Sequence, residues 1–120
     1  MSIQCDDPGA SAAFYDAVLA PLGISRVMEF GSVIGFGTSG TPDFWIGPSV
    51  SGGAFRESHL AFAAAHRDAV RAFFDAAVAH GAEVLNEPKI LPDYDPDYFG
   101  GAFVRDPDGN NVEAVCRAPR

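Results

Sequence analysis

Apolar positions along the chain fall into helical and then alternating patterns, and this succession occurs twice. Ala12, Tyr15, Leu19 and Leu22 recur at the spacing of one helical face. The run opens at Asp7-Pro8, a capping residue followed by a proline suited to the first turn, and stops at Gly23. Arg26 to Phe30, Val33 to Gly37 and Asp43 to Gly47 then read as strands, with Thr38 to Pro42 as the turn joining the last two.

The second half follows the same plan. Ser58 to Ala64 predicts a strand, and Val70, Phe73, Phe74 and Ala77 make the apolar face of a helix that stops at Gly81. Glu83 to Leu85 begins another strand. Tyr98 to Arg105 predicts the next, with Gly100-Gly101 marking a bulge or a close backbone approach. Asp106 to Asn110 is a turn, and Asn111 to Cys116 is the last strand. Asn86 to Asp97, rich in proline, is a surface loop or a lid over a cleft.

The order is therefore β-α-β-β-β, twice. The predicted fold class is α+β, one domain over 1–120, with module 1 at about 1–50 and module 2 at about 57–117. A local repeat supports the duplication: Ala13-Phe14-Tyr15-Asp16-Ala17 returns as Ala72-Phe73-Phe74-Asp75-Ala76, 59 positions on. A unit built twice places equivalent residues around one shared cleft. The same offset sets Phe62 on Ile3 and Leu60 on Met1, so His59 falls on the position just before Met1. The turns before the last strand of each module align Val112 with Phe44 and Glu113 with Trp45. By this count the first copy lacks most of its opening strand, since only Ser2 to Cys5 precede the helix cap.

Composition narrows the function. The chain has 120 residues, 48% of them apolar and 20% charged, which suits one globular domain. Its net charge is −8, and eight Lys and Arg do not make a basic stripe, which argues against nucleic-acid binding. No apolar run approaches the ~20 residues of a membrane helix, and no signal peptide is visible, so a cytoplasmic location is expected. Cys5 and Cys116 read as thiols in strands.

His59 and Glu113 are the candidate chemistry. Strand alternation sets Glu113 among Val112, Ala114 and Val115, where a carboxylate is costly to bury unless a cation meets it. A divalent metal would serve, and imidazole with carboxylate suits zinc, iron, manganese or nickel. The competing reading has Glu113 solvated on the outer sheet face and His59 as an ordinary strand histidine. His66 and His80 flank the second helix and face solvent on this reading, and Asp16 and Asp75 lie on a solvated face. Trp45, Phe36, Phe62, Tyr98 and Phe103 are either pocket lining or core. Arg105 and Lys89 are either contacts for an anionic group or surface charges.

Phe14 to Gly23, Asp43-Phe44-Trp45-Ile46-Gly47, His59-Leu60-Ala61-Phe62 and, most specifically, Val104 to Val115 resemble the glyoxalase/bleomycin-resistance/extradiol-dioxygenase group, the vicinal oxygen chelate superfamily. The resemblance implies paired βαβββ modules around an open, barrel-like cleft, commonly in a homodimer. It implies metal ligands from the first and last strands of each module, which are His59 and Glu113 here, with Glu113 also catalytic. Trp45 falls near a ligand position and cannot ligate, and a first-strand histidine would stand just before Met1. A start misassigned at a valine codon would account for that gap and restore a two-His-one-carboxylate face. The expected function is action on a small organic molecule through a divalent metal, by isomerisation or ring cleavage. The alternatives are a metal-free binding protein like the bleomycin-resistance members, in which the metal is absent for want of that histidine, and a structural dimer without ligand.

Overall fold

The structure, a computed structural model, describes residues 1–90 and 99–117. The elements run β1 Ser2–Cys5, α1 Pro8–Leu19, β2 Ser25–Phe30, β3 Val33–Gly37, β4 Phe44–Pro48, β5 His59–Ala63, α2 Arg67–Ala79, β6 Val84–Asn86, β7 Lys89–Ile90, β8 Phe99–Arg105 and β9 Asn111–Cys116. They form two mixed sheets, ordered β1-β4-β3-β2 and β5-β9-β8-β6, with β7 also paired to β8. In each sheet the module's first strand runs parallel to its last, and the remaining pairings are antiparallel. The predicted α+β class and β-α-β-β-β plan are what the fold shows, with the short β7 added.

Each helix starts where its sequence supplies an acceptor. Asp7 Oδ1 accepts from the Ala10 amide at 3.1 Å. His66, expected only to face solvent, caps α2 by accepting from the Ala69 amide through Nδ1 at 3.1 Å. The bulge expected at Gly100-Gly101 is present as a register shift between Phe99 and Ala102.

One expectation is corrected. The first module does not lack most of its opening strand: β1 pairs with β4 over four residues, Ser2↔Trp45 through Cys5↔Pro48. In the second module β5 pairs with β9 from His59↔Asn111 through Ala63↔Val115. Ser2↔Trp45 thus corresponds to Ala61↔Glu113, and both alignments made from the sequence hold together in the two ladders.

One face of each sheet is buried beneath the helices. Ile3, Cys5, Ile34, Phe36, Phe44 and Ile46 come from the first sheet, and Leu60, Phe62, Ala102, Val104, Val112 and Ala114 from the second. They join Phe14, Tyr15, Val18 and Leu19 of α1 and Val70, Phe73 and Ala77 of α2 in one continuous core. The Phe62 ring of β5 reaches the Phe44 ring of β4 at 5.2 Å, and both pack on Tyr15. The modules therefore share their interior.

A polar clasp crosses the same seam. The fully buried Tyr15 hydroxyl donates to Asp106 Oδ2 at 2.7 Å. Asp106 also accepts from the amides of Asp108 and Asn110 and from Asn110 Nδ2, all within 3.0 Å. Four donors make burial of that carboxylate tolerable. Burial, and then the Asp106 charge, push the Tyr15 phenol far above its ordinary range.

Candidate functional site

The opposite faces of the sheets carry the candidate chemistry. Alternation along β5 turns His59, Ala61 and Ala63 away from the core, and along β9 it turns Asn111, Glu113 and Val115 the same way. Because β5 and β9 are parallel neighbours, a histidine at the start of one meets the carboxylate two residues beyond its register partner on the other. His59 Nε2 lies 2.8 Å from Glu113 Oε1. The Glu113 side chain is 4% exposed and that of His59 54%, so the carboxylate is buried behind an imidazole that reaches solvent. The reading of Glu113 as a solvated outer-face carboxylate is therefore corrected. Phe103 lies opposite Glu113 on β8, and its ring sits edge-on to His59 at 5.7 Å.

The pair has the donor types of a metal site. With metal–ligand bonds of about 2.0–2.2 Å, two adjacent ligands on one ion stand about 3 Å apart. The observed 2.8 Å is therefore a spacing that one ion can share. Among the described residues, no group of three or more His, Cys, Asp or Glu is placed to hold a metal. The two residues fit part of a coordination sphere and leave the rest to other donors.

Trp45, the counterpart of Glu113, faces the same way from the first sheet. Its indole lies over the backbone of Gly35, where an added Cβ would stand 2.9 Å from the ring. Phe30 stacks beside it, with centroids 6.3 Å apart and planes 18° from parallel. Phe62, expected in the pocket, packs into the core from the opposite face of β5, so the structure does not bring it to His59 and Glu113. Phe36 is likewise core. Tyr98 lies outside the described residues.

Arg105, offered as an anion contact, is already engaged. It donates to Glu57 at 2.8 Å, to Glu83 at 3.3 Å and to the Gly109 carbonyl at 2.9 Å. Two cavities open elsewhere. One of ≈ 380 Å³ lies between β1 and the segment after β4, and one of ≈ 420 Å³ lies between the end of α2 and the Asp106–Gly109 turn. Neither is lined by His59 or Glu113. Sequence reasoning missed the Tyr15–Asp106 bond and the Phe30–Trp45 stack. Only Gly35, placed to leave room for a ring, hinted at the second.

Residues 1–114 match the family model described as the Glyoxalase/Bleomycin resistance protein/Dioxygenase superfamily, and the chain belongs to that family. Among solved structures it is similar to a glyoxalase/bleomycin resistance protein from Albidiferax ferrireducens T118. The two are 29% identical with a TM-score of 0.84, over 97% of this chain and 95% of that one. It shares its fold with a lactoylglutathione lyase from Agrobacterium tumefaciens, at 20% identity and TM-score 0.69, over 97% of this chain and 90% of that one. The same holds for an oxidase, ChaP-H2, at 22% identity and TM-score 0.68, over 98% of this chain and 91% of that one. The comparison with curated proteins gave no match.

Proposed function

We propose that this protein binds a small organic molecule on the face carrying His59 and Glu113 and acts on it with a divalent metal held by those two residues. The observation that carries this reading is the 2.8 Å approach of an accessible imidazole to a buried carboxylate, on the two strands from which the family resemblance draws its ligands. A bound ion would supply Lewis-acid charge to an oxygen of the substrate. The chain's own part follows from geometry. Glu113, on β9 between β5 and β8, presents a carboxylate oxygen to His59 from a poorly solvated place. His59 is held by its contact with Glu113 and by the Phe103 ring standing edge-on to it. The homodimer and the cytoplasmic setting expected from the sequence belong to the same reading.

A second reading is favoured by Trp45. Where the other module has Glu113, module 1 has an indole, and the described residues bring two metal-ligating groups together rather than three. That arrangement suits a metal-free binding protein.

Metal analysis separates the two. After reconstitution with zinc, iron(II), manganese or nickel and desalting, the first reading expects one ion per chain, lost in both His59→Ala and Glu113→Ala. No retained metal in the wild type, or metal retained in both variants, turns the case to the binder.

A further inference from the structure

The register that brings His59 to Glu113 also sets a third outward side chain beside the histidine. Asn111 is the register partner of His59 on β9 and stands two residues before Glu113, so all three share one face of the sheet. Partners on neighbouring strands lie about 4.8 Å apart. On its other side Asn111 is paired with Arg105 of β8.

The amide of Asn111 is left incomplete. Among the described residues, its Oδ1 and the Nε of Arg67 are buried side-chain atoms that find no hydrogen-bond partner. Arg67 has a ring to lie against, its guanidinium being 4.9 Å from the Phe99 centroid. Asn111 has no such substitute. Arg105 turns its Nε and Nη1 hydrogens to Glu83, Glu57 and the Gly109 carbonyl, and gives none to Asn111. A buried acceptor without a donor has lost its hydration and gained nothing in return. Such a group is a mark of function when a donor stands within reach in another state of the site.

His59 can supply that donor, but not as it stands. A carboxylate only accepts, so a neutral imidazole set against Glu113 carries its hydrogen on Nε2 and leaves Nδ1 bare. Two acceptors do not bond. A divalent ion on Nε2 uses the lone pair there and requires the hydrogen on Nδ1. In that tautomer the ring has a donor to place, and its register partner has an acceptor to fill.

We propose that Asn111 is a positioning residue for the metal site: its Oδ1 accepts from Nδ1–H of His59 and fixes the ring in the tautomer that ligates through Nε2. The proposal rests on the metal reading above and adds to it a residue that touches no ion. It predicts effects of opposite sign. Leucine at 111 has nearly the shape of asparagine and no polar atom to strand, so the metal-free fold should be as stable as wild type or more so. The same change should weaken metal binding about 10–100-fold, the usual effect of removing the partner behind a ligating histidine.

The test uses the whole protein and zinc, which is diamagnetic. Long-range proton–nitrogen spectra read the tautomer of each imidazole, and His59→Ala identifies the His59 signals among the chain's three histidines. The expected result in the zinc-loaded wild type is a hydrogen on His59 Nδ1 that exchanges slowly with solvent. In Asn111→Leu that hydrogen exchanges faster, zinc affinity by competition with a chromophoric chelator falls about 10–100-fold, and the metal-free melting temperature is unchanged or higher. Asn111→Asp keeps the acceptor and binds zinc at least as tightly as wild type. A hydrogen on Nε2 in the zinc-loaded wild type overturns the proposal without recourse to any variant. So does zinc affinity within twofold of wild type in Asn111→Leu, or a lower metal-free melting temperature in both Asn111→Leu and Asn111→Ala, which would make Asn111 a structural residue. If His59→Ala and Glu113→Ala lose zinc while Asn111→Leu keeps it, this proposal fails and the metal reading stands; a wild type that takes up no zinc sinks both.

Discussion

Tyr15 shows how one residue can serve two parts of a fold at once. Its ring fills the junction of Phe14, Phe44 and Phe62, and its hydroxyl answers a carboxylate 91 positions away. That separation is why the bond was not legible: helical spacing marks Tyr15 as core but says nothing of Asp106. His59 and Glu113 were legible because strand alternation makes a carboxylate among valines conspicuous. Their direct contact needed the parallel pairing of β5 with β9. The Tyr15 bond makes a prediction with a sign. Burial and the Asp106 charge raise the phenol above its ordinary 10.0 in the folded state only. Up to about that pH both states keep the proton; above it the unfolded chain ionises while the native one does not, so the native state binds more protons and stability falls as pH rises. Tyr15→Phe is expected to cost about 1.5–3 kcal/mol at pH 7, the worth of a bond to a charged group, and to fall less steeply than wild type between about pH 9 and 11. Urea unfolding at a series of pH values checks both, and parallel alkaline limbs would refute the assignment.

At the scale of elements, caps, turns and alternation placed both helices and nearly every strand, because those signals are local. Only the completeness of β1 was underestimated, since a four-residue strand is made by its parallel partner β4 rather than by its own pattern. The β3–β4 hairpin offers the sharper test of what local sequence encodes. A Cβ at Gly37 would stand 2.4 Å from the Thr41 carbonyl oxygen, a backbone atom of the same turn that cannot swing aside. A Cβ at Gly40, three residues on, meets nothing within 4 Å. Gly37→Ala should therefore destabilise by about 1–3 kcal/mol through overpacking. Gly40→Ala should be neutral or stabilising by up to about 1 kcal/mol, because it narrows only the unfolded ensemble. Thermal melts of the two variants decide it, and equal melting temperatures would mean that the turn yields more easily than its geometry indicates.

The whole molecule is a duplication that has given up independence. Repeat and family resemblance both suggested two modules, yet the modules meet through interior rather than surface: Phe62 of the second lies against Tyr15 and Phe44 of the first, and the Asp106 turn holds Tyr15 from the far side. Sequence could not show this, because each of these residues satisfies its own element's pattern whether or not the other module is present. The site depends on the merger. Phe62 and the outward-facing Ala61 and His59 share β5, so whatever anchors Phe62 also fixes the strand that presents His59 to Glu113. Phe62→Ala is accordingly expected to cost about 3–5 kcal/mol, the range for emptying a buried aromatic position. Its signature should be global. In a shared core the loss lowers the opening free energy of amides in β3 and β4 of module 1 as much as in β8 and β9 of module 2, and unfolding stays a single transition. Hydrogen exchange followed strand by strand is the deciding measurement: lost protection confined to module 2 would show two separately stable units, and equal loss in both sheets would show that the doubled sequence folds as one body.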